Sequence, residues 1–195
     1  QRIGAGLRFL DEHARVLARA SAQYGVPEEI MVAIIGVETV YGRNMGAYRI
    51  VDALSTLAFD YPPRAEYFRS ELENYLIFAR DTGIDVFALR GSFAGAFGLP
   101  QFMPSSYRRF AVDYDGDGRP NLVGSAADAI GSVGNFLLAH GWKRAAPIAF
   151  PVRIDKPEAR ALADGDVRPN STAGALEAAG AVPLAPEGQL PADTP

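Results

Sequence analysis

Apolar positions recur with helical spacing through most of the first 142 residues of the chain. Leu7, Leu10, Ala14 and Leu17 fall on one face, and their spacing predicts an amphipathic helix that ends at Gly25. The same reasoning predicts further helices over residues 27–42, 52–59, 63–81, 85–90 and 126–140. Prolines accumulate after residue 147, where only a short edge strand (148–154) and a short helix (171–179) are predicted.

The second predicted helix carries one charged group, Glu38, in a run of apolar residues that begins at Met31. A helix that is apolar on every side is usually buried, and glutamate is rarely buried without a partner. Burial and the negative end of the helix dipole both disfavour a charged carboxylate. We therefore expect a Glu38 that holds its proton more readily than usual, as a general acid must. A buried ion pair with an arginine explains this stretch equally well.

Residues 91–107 are predicted to form a loop whose backbone approaches another part of the molecule closely. Gly91, Gly95 and Gly98 lie among aromatic residues, and glycine permits such close approach. Gln101 is a lone amide with apolar neighbours, which makes it a candidate hydrogen-bonding group in a pocket. A tightly packed turn, with Gln101 satisfied by the backbone, is the alternative, and the composition slightly favours it.

Residues 113–124 resemble the first half of a calcium-binding EF-hand loop. Carboxylates at the first, third and fifth places and glycine at the sixth fit that pattern; these are Asp113, Asp115, Asp117 and Gly118. The twelfth place holds Gly124 instead of a bidentate glutamate, and Asp128 could supply the missing carboxylate. Ser125 and Asp128 also have the spacing of a helix capping box. We predict a solitary structural metal site; a plain turn is the alternative.

The composition is that of an ordinary folded domain, with 48% hydrophobic and 22% charged residues in 195. We predict one main domain over residues 1–146 and a partial lobe or extended tail over 147–195. A net charge of −4 argues against a nucleic-acid partner. The absence of cysteine excludes disulfides, thiolate zinc sites and cysteine nucleophiles.

Five motifs, taken in order, resemble a known family. They are residues 34–42, 91–98, 101–107, 113–124 and 128–132. Together they resemble the membrane-bound lytic transglycosylase B family of bacterial cell-wall enzymes, over about residues 2–142. The resemblance implies a mainly α, lysozyme-like catalytic domain with a short α/β extension. It also implies a periplasmic location, and anchoring to the outer membrane in a full-length protein is left open.

The resemblance implies a role for specific side chains. Glu38 matches the catalytic acid that cleaves the β-1,4 bond between N-acetylmuramic acid and N-acetylglucosamine. The implied sugar-binding residues are Ser92, Gln101, Tyr67 and Arg64, with Tyr61 and Phe97 as further candidates. The implied metal ligands are Asp113, Asp115, Asp117, Asp128 and the carbonyl oxygen of Arg119. Phe136 departs from the family, because a relative has a cleft tyrosine there.

The resemblance further implies a structural Ca²⁺, no catalytic cofactor, and peptidoglycan glycan strands as the partner. Cell-wall synthesis proteins are candidate partners, and a monomer is expected. Ordinary glycosidases use two carboxylates, but only Glu38 occupies an apolar stretch, so we expect it to act first as acid and then as base. The alternatives are a lysozyme-type hydrolase with a second carboxylate and a noncatalytic wall-binding module.

Overall fold

The computed structural model describes residues 2–162, 171–184 and 190–194. Its contacts divide the chain into two compact units, Gln1–Arg144 and Ala145–Pro195. The helices of the first unit are α1 (Arg2–Glu12), α2 (Ala14–Tyr24), α3 (Glu28–Thr39), α4 (Ile50–Asp60), α5 (Ala65–Thr82), α6 (Pro104–Phe110) and α7 (Ala126–Ala139). A single 3₁₀ turn, Pro62–Arg64, precedes α5 in this unit, and two short strands, β1 (Tyr48–Arg49) and β2 (Arg90–Gly91), pair antiparallel. The mainly helical class is therefore as predicted.

The predicted first helix is two helices, because the chain bends at His13. That residue has φ −112°, although its amide still donates to the Phe9 carbonyl at 3.1 Å. The bend lets α1 pack on α3 while α2 packs on both α3 and α7. Leu7, which the prediction placed on the apolar face, is 65% exposed, and Phe9 is buried instead.

Two apolar clusters form the interior of the first unit. The first joins α1, α2, α3 and α7, and includes Leu17, Met31, Ile35, Ile130 and Val133. The second joins α4, α5 and α6, and includes Leu54, Phe68, Tyr75, Phe78 and Tyr107. The loop that follows β2 contributes Leu99 to the first cluster and Phe97 and Phe102 to the second. This loop therefore ties the two clusters together.

Two short segments around this loop differ from the prediction. The helix predicted over residues 85–90 is wrong: the Asp85 side chain and carbonyl accept the Phe87 and Ala88 amides in a turn. Conversely, α6 begins at Pro104, where no helix was predicted. Its seven residues are too few to show a clear apolar period, although proline is favoured in the first turn of a helix.

The second unit contains β3 (Val152–Ile154), α8 (Pro157–Ala161), α9 (Ala173–Ala178) and β4 (Ala181–Pro183). The two strands pair antiparallel, and Thr172 caps α9 by accepting the Ala175 amide at 3.2 Å. The predicted domain limits of 1–146 and 147–195 stay a prediction. Among the described residues, no helix combines the length and the apolar character needed to cross a bilayer.

Candidate active site

The helix that carries Glu38 is buried on one face only. Met31 and Ile35 are fully buried, whereas Val37 is 68% exposed and Glu38 is also exposed. The prediction of a helix buried on all sides is therefore wrong, and so is the reasoning from burial that the sequence suggested for Glu38. The alternative of a buried ion pair is wrong as well. Glu38 has no hydrogen bond or ion pair with any residue that the structure describes. Its carboxylate is free to meet a ligand.

Glu38 lies at a pocket of about 300 Å³ between the two apolar clusters. The pocket is lined by side chains from α3, the loop after β2, α6 and α7: Ile34, Glu38, Pro100, Gln101, Phe102, Met103, Ser106, Val133, Phe136 and Leu137. Glu38 is the only carboxylate among these lining residues. A mostly apolar pocket with a few polar groups is the usual form of a ligand site.

Gln101 is held in this pocket by backbone carbonyls. Its side-chain amide donates to the Met45 carbonyl at 3.2 Å and to the Gly98 carbonyl at 3.0 Å. Its backbone has φ 50°, a left-handed conformation that non-glycine residues rarely adopt. The side-chain oxygen accepts no hydrogen bond within the described part of the chain. Gln101 is thus a turn residue satisfied by backbone that also presents one free acceptor.

Ser92 stabilises the turn that follows β2. Its Oγ accepts the amides of Ala94 at 3.3 Å and Ala96 at 3.0 Å, so its own hydroxyl proton remains for another acceptor. Gly46 packs so closely against the Gly91 backbone that a Cβ there would collide with it. Since the neighbouring Met45 accepts from Gln101, Ser92 and Gln101 both lie close to one short segment, Met45 and Gly46.

Three other predicted sugar-binding residues gather around Phe68. The Arg64 guanidinium lies 4.5 Å from the centre of the Tyr67 ring, and the Tyr61 and Tyr67 rings both contact Phe68 edge-on. Tyr61, Arg64 and Tyr67 are all exposed. Partial desolvation of the Tyr67 side chain and the nearby Glu71 carboxylate raise the pKa of Tyr67, and Arg64 opposes them. Together Tyr61, Arg64 and Tyr67 form an exposed aromatic and cationic surface at the start of α5 and the turn before it.

Phe97 cannot contact a sugar directly, so the prediction that it lines the sugar cleft is wrong. Phe97 is fully buried and stacks on Tyr107 with ring centres 5.3 Å apart. It belongs to the second apolar cluster because it lies in the loop that crosses between clusters. Phe136 does line the Glu38 pocket, and it stacks on His140 with ring centres 4.0 Å apart.

The structure brings three predicted metal ligands together. Oxygen atoms of Asp113, Asp115 and Asp117 lie within 4.8 Å of one another. The Asp113 carboxylate accepts three amides from within the loop, those of Gly116, Asp117 and Gly118. Both glycines have positive φ, 80° and 109°, which lets the chain curl around this carboxylate. Hard oxygen donors in such a cluster suit Ca²⁺.

Within the part of the chain that the structure describes, the carboxylate cluster does not include Asp128. It is fully buried, and it accepts the amides of Tyr114 at 2.6 Å, Asp115 at 3.2 Å and Asn121 at 2.7 Å. Half of the predicted capping box is present: Ser125 Oγ accepts the Asp128 amide at 3.2 Å. Asp128 therefore supports the ends of the loop, and its metal contact, like that of the Arg119 carbonyl, stays a prediction.

Two buried polar residues near the pocket were missed from the sequence. Thr39, next to Glu38, is fully buried, and Glu71 is 3% exposed. Both Glu71 oxygens accept from Ser105, from its amide at 2.9 Å and its hydroxyl at 2.6 Å, at the start of α6. A usable signal for Glu71 existed, because it falls on the apolar stripe between Phe68 and Tyr75.

Comparison with known proteins gives consistent matches. Residues 1–194 match the Transglycosylase SLT domain family. Membrane-bound lytic murein transglycosylase B of Escherichia coli (strain K12) is 53% identical over 152 residues, which are 78% of this chain and 42% of that protein.

Solved structures agree with this chain in fold. Soluble lytic transglycosylase SltB1 from Pseudomonas aeruginosa superposes with a TM-score of 0.89 at 50% identity, covering 94% of this chain and 62% of that one. The Escherichia coli lytic transglycosylase Slt35, solved in complex with calcium, gives 0.85 at 47% identity, covering 96% and 59%. These matches confirm the predicted lysozyme-like, mainly helical fold. The chain spans less than two thirds of each of these three relatives.

Proposed function

The chain belongs to the transglycosylase SLT domain family, and we propose that it is a lytic transglycosylase acting on peptidoglycan. It would cleave the β-1,4 bond between N-acetylmuramic acid and N-acetylglucosamine and leave a 1,6-anhydro muramoyl end. The observation that carries this proposal is Glu38, an exposed carboxylate without a protein partner at the edge of an apolar pocket. The resemblance to membrane-bound lytic transglycosylase B seen in the sequence is confirmed.

In the proposed mechanism Glu38 acts twice. The protonated side chain donates its proton to the glycosidic oxygen as the bond from that oxygen to the muramoyl C1 breaks. The carbonyl oxygen of the substrate's own N-acetyl group stabilises the positive charge at C1. The Glu38 carboxylate then removes the proton from the C6 hydroxyl, whose oxygen bonds to C1 and closes the anhydro ring. Glu38 ends protonated, ready for another cycle, and no water is consumed.

A single carboxylate suits this reaction better than it suits hydrolysis. Hydrolases of the ordinary kind place a second carboxylate about 5–10 Å from the acid, as nucleophile or as base for water. Among the described residues that line the pocket, Glu38 has no such companion. The N-acetyl group and the C6 hydroxyl of the substrate take the parts that a second carboxylate and a water molecule would otherwise have.

Ser92 and Gln101 are proposed to position the sugar. The free hydroxyl proton of Ser92 can donate to the N-acetyl carbonyl oxygen, and the free side-chain oxygen of Gln101 can accept from a sugar hydroxyl. Because backbone groups hold both side chains, they would bind without first losing rotamer freedom. The exposed surface of Tyr61, Arg64 and Tyr67 is proposed to contact a further sugar of the glycan strand.

A structural Ca²⁺ in the Asp loop is the second part of the proposal. Asp113, Asp115 and Asp117 would supply carboxylate oxygens, with the Arg119 carbonyl and Asp128 as further ligands. The support is the clustering of three carboxylates and the calcium present in the Slt35 structure. The ion would stabilise the fold at the start of α7 and take no part in catalysis.

The proposed location and partners rest on the same family resemblance. A relative is named membrane-bound, and we propose the periplasm as the compartment, with the glycan strands of peptidoglycan as the partner. We also propose that the protein is a monomer and that cell-wall synthesis proteins are further partners.

Digestion of purified peptidoglycan tests the proposed reaction. Mass spectrometry of the released muropeptides should find 1,6-anhydro ends with the wild-type protein and none with Glu38→Gln. Reducing ends would instead identify a hydrolase. Equal wall binding by both proteins, with no release by either, would identify a noncatalytic module and overturn the proposal.

Titration with calcium tests the metal site. At a free concentration of a hundred times Kd, a bound ion should raise the free energy of unfolding by about 2.7 kcal/mol. Asp115→Ala should abolish the increase in melting temperature. An absence of any calcium effect in the wild type, together with a silent Asp115→Ala, would reduce the loop to a turn.

A further inference from the structure

The fully buried hydroxyl of Thr39 connects the end of α3 to the loop that carries Gln101. Thr39 Oγ1 lies 2.9 Å from the Leu99 carbonyl oxygen, to which it donates, and it accepts the Gly42 amide at 3.0 Å. It also lies 3.2 Å from the Ile35 carbonyl of its own helix. The contact with Leu99 spans 60 residues of sequence. One hydroxyl thus lies within hydrogen-bonding distance of three backbone groups directly beside Glu38.

Both segments that Thr39 joins have unfavourable backbone conformations. Val40 and Tyr41, which follow it, have φ 52° and 59°, and Gln101, two residues after Leu99, has φ 50°. Left-handed backbone is disfavoured for residues with a Cβ, and most of all for a β-branched residue such as valine. Such conformations persist only where the surroundings hold them, and they cluster at functional sites.

Side-chain packing restrains the turn that follows Thr39. The Tyr41 ring folds back onto Gly36, where a Cβ would collide with it, and it contacts Phe9 with ring centres 5.2 Å apart. These contacts secure the turn after α3 against α1, but they do not reach the Gln101 loop. The hydrogen bond from Thr39 to Leu99 makes that connection at the end of α3 itself. The bond from the Gln101 side-chain amide to the Met45 carbonyl makes a second one further along the chain.

We propose that Thr39 is a positioning residue that fixes the Glu38 carboxylate relative to Gln101. Glu38 has no hydrogen bond among the described residues, so its placement depends on the backbone of the helix end. Thr39 holds that backbone to the loop whose residues also line the pocket. The catalytic consequence rests on the proposed function, whereas the connection between the two segments does not.

Removing only the hydroxyl tests this role. Thr39→Val keeps the shape of the side chain and deletes its hydrogen bonds, and Thr39→Ser keeps the hydroxyl. We expect Thr39→Val to lower kcat on soluble glycan strands about 100-fold, because displacements near 1 Å at a reacting group have effects of that size. KM should change by less than about twofold, since sugar binding is retained. Thr39→Ser should restore kcat to within about threefold of wild type.

Thr82→Val is the matched control. Thr82 Oγ1 donates to the Phe78 carbonyl at 2.7 Å near the end of α5, so the same substitution removes a similar bond away from the Glu38 pocket. The control should leave kcat unchanged. If Thr82→Val lowers kcat as far as Thr39→Val does, or if Thr39→Ser fails to rescue it, the effect is general destabilisation and the proposal is overturned.

Amide hydrogen exchange provides a readout that does not depend on activity. Thr39→Val should speed exchange at Gly42 and around Leu99 and Gln101, whereas Thr82→Val should not. Unchanged exchange there would overturn the connection, and faster exchange with unchanged kcat would overturn the positioning role. If the wild-type protein releases no anhydro products, the proposed function fails, and exchange alone then decides whether Thr39 joins these segments.

Discussion

Two helix ends in this protein hold a carboxylate in opposite ways. Glu38, near the end of α3, is exposed and has no partner within the described residues. Asp128, in the first turn of α7, is fully buried and accepts three backbone amides. Both ends flank the first apolar cluster, but Glu38 lies on the solvent-facing side of its helix, whereas Asp128 faces the backbone amides of the Asp loop.

The difference separates a group suited to reaction from a group suited to support. A carboxylate that accepts several amides is held rigidly, and removing it leaves those donors unsatisfied in the interior. A carboxylate without partners adds little to folding but can exchange protons with a ligand. Changes that stabilise a protein often cost activity where the active site needs flexibility or strain.

The largest expected effect is on activity at the Glu38 end. Glu38→Gln should lower kcat/KM by about 10²–10⁴-fold, the usual contribution of general acid and base catalysis. The free energy of unfolding should change by less than about 0.5 kcal/mol, because an exposed side chain without partners is being replaced. Muropeptide release and urea unfolding measure the two quantities. A large loss of stability would show that Glu38 supports the fold.

The Asp128 end should behave in the reverse manner. Asp128→Asn should lower the free energy of unfolding by about 3 kcal/mol, since an amide nitrogen would face backbone donors. Activity per folded molecule should be retained. Urea unfolding of this variant beside Asp117→Asn in calcium-free buffer isolates the effect of burial, because Asp117 is an exposed carboxylate of the same loop and neither change can then act through a bound ion. Equal losses in the two variants would contradict this assignment.

Glu71 is a buried carboxylate close to the pocket and sharpens the comparison. Glu71→Gln should cost about 1–3 kcal/mol, because the Ser105 amide or hydroxyl loses its acceptor. A double-mutant cycle with Ser105→Ala measures the coupling between the two residues. Independent, additive losses would mean that the contact contributes nothing of its own.

The smallest expected effect is a loss of folding stability at alkaline pH, which arises at Tyr107, near Asp128. Burial raises the pKa of Tyr107 to about 12, and its hydroxyl donates to the Pro120 carbonyl at 2.5 Å, beside the Asp loop. In the unfolded chain this phenol ionises near the ordinary tyrosine pKa of 10.0, below the folded pKa. The contribution of Tyr107 to stability is therefore complete below about pH 10 and is lost as the pH rises towards about 12.

Unfolding at several pH values checks this expectation. Tyr107→Phe should be less stable at neutral pH and should lose less stability between about pH 10 and pH 12. Burial likewise raises the pKa of Tyr75 to about 12, so part of the dependence on pH should remain in the variant. An identical slope in both proteins would exclude Tyr107 as a source.

Local signals in the sequence predicted most helices well. The predicted helix over 126–140 is observed as Ala126–Ala139, and that over 63–81 appears as the turn Pro62–Arg64 followed by Ala65–Thr82. Periodicity, prolines and capping residues act over a few positions, so they can be recognised without knowing the packing. The same local rules do not identify the break at His13 or the short helix α6, since packing partners decide both.

The sequence by itself determined the helical class, the family motifs and the candidate acid, because each depends on residue types at short, regular spacing. Only the tertiary structure decided which face of α3 meets solvent, and hence that Glu38 is exposed. It also decided that Phe97 is buried and that Thr39 bonds to Leu99 across 60 residues. Burial and long-range hydrogen bonds depend on which segments meet in space, and spacing along one segment does not specify its partners.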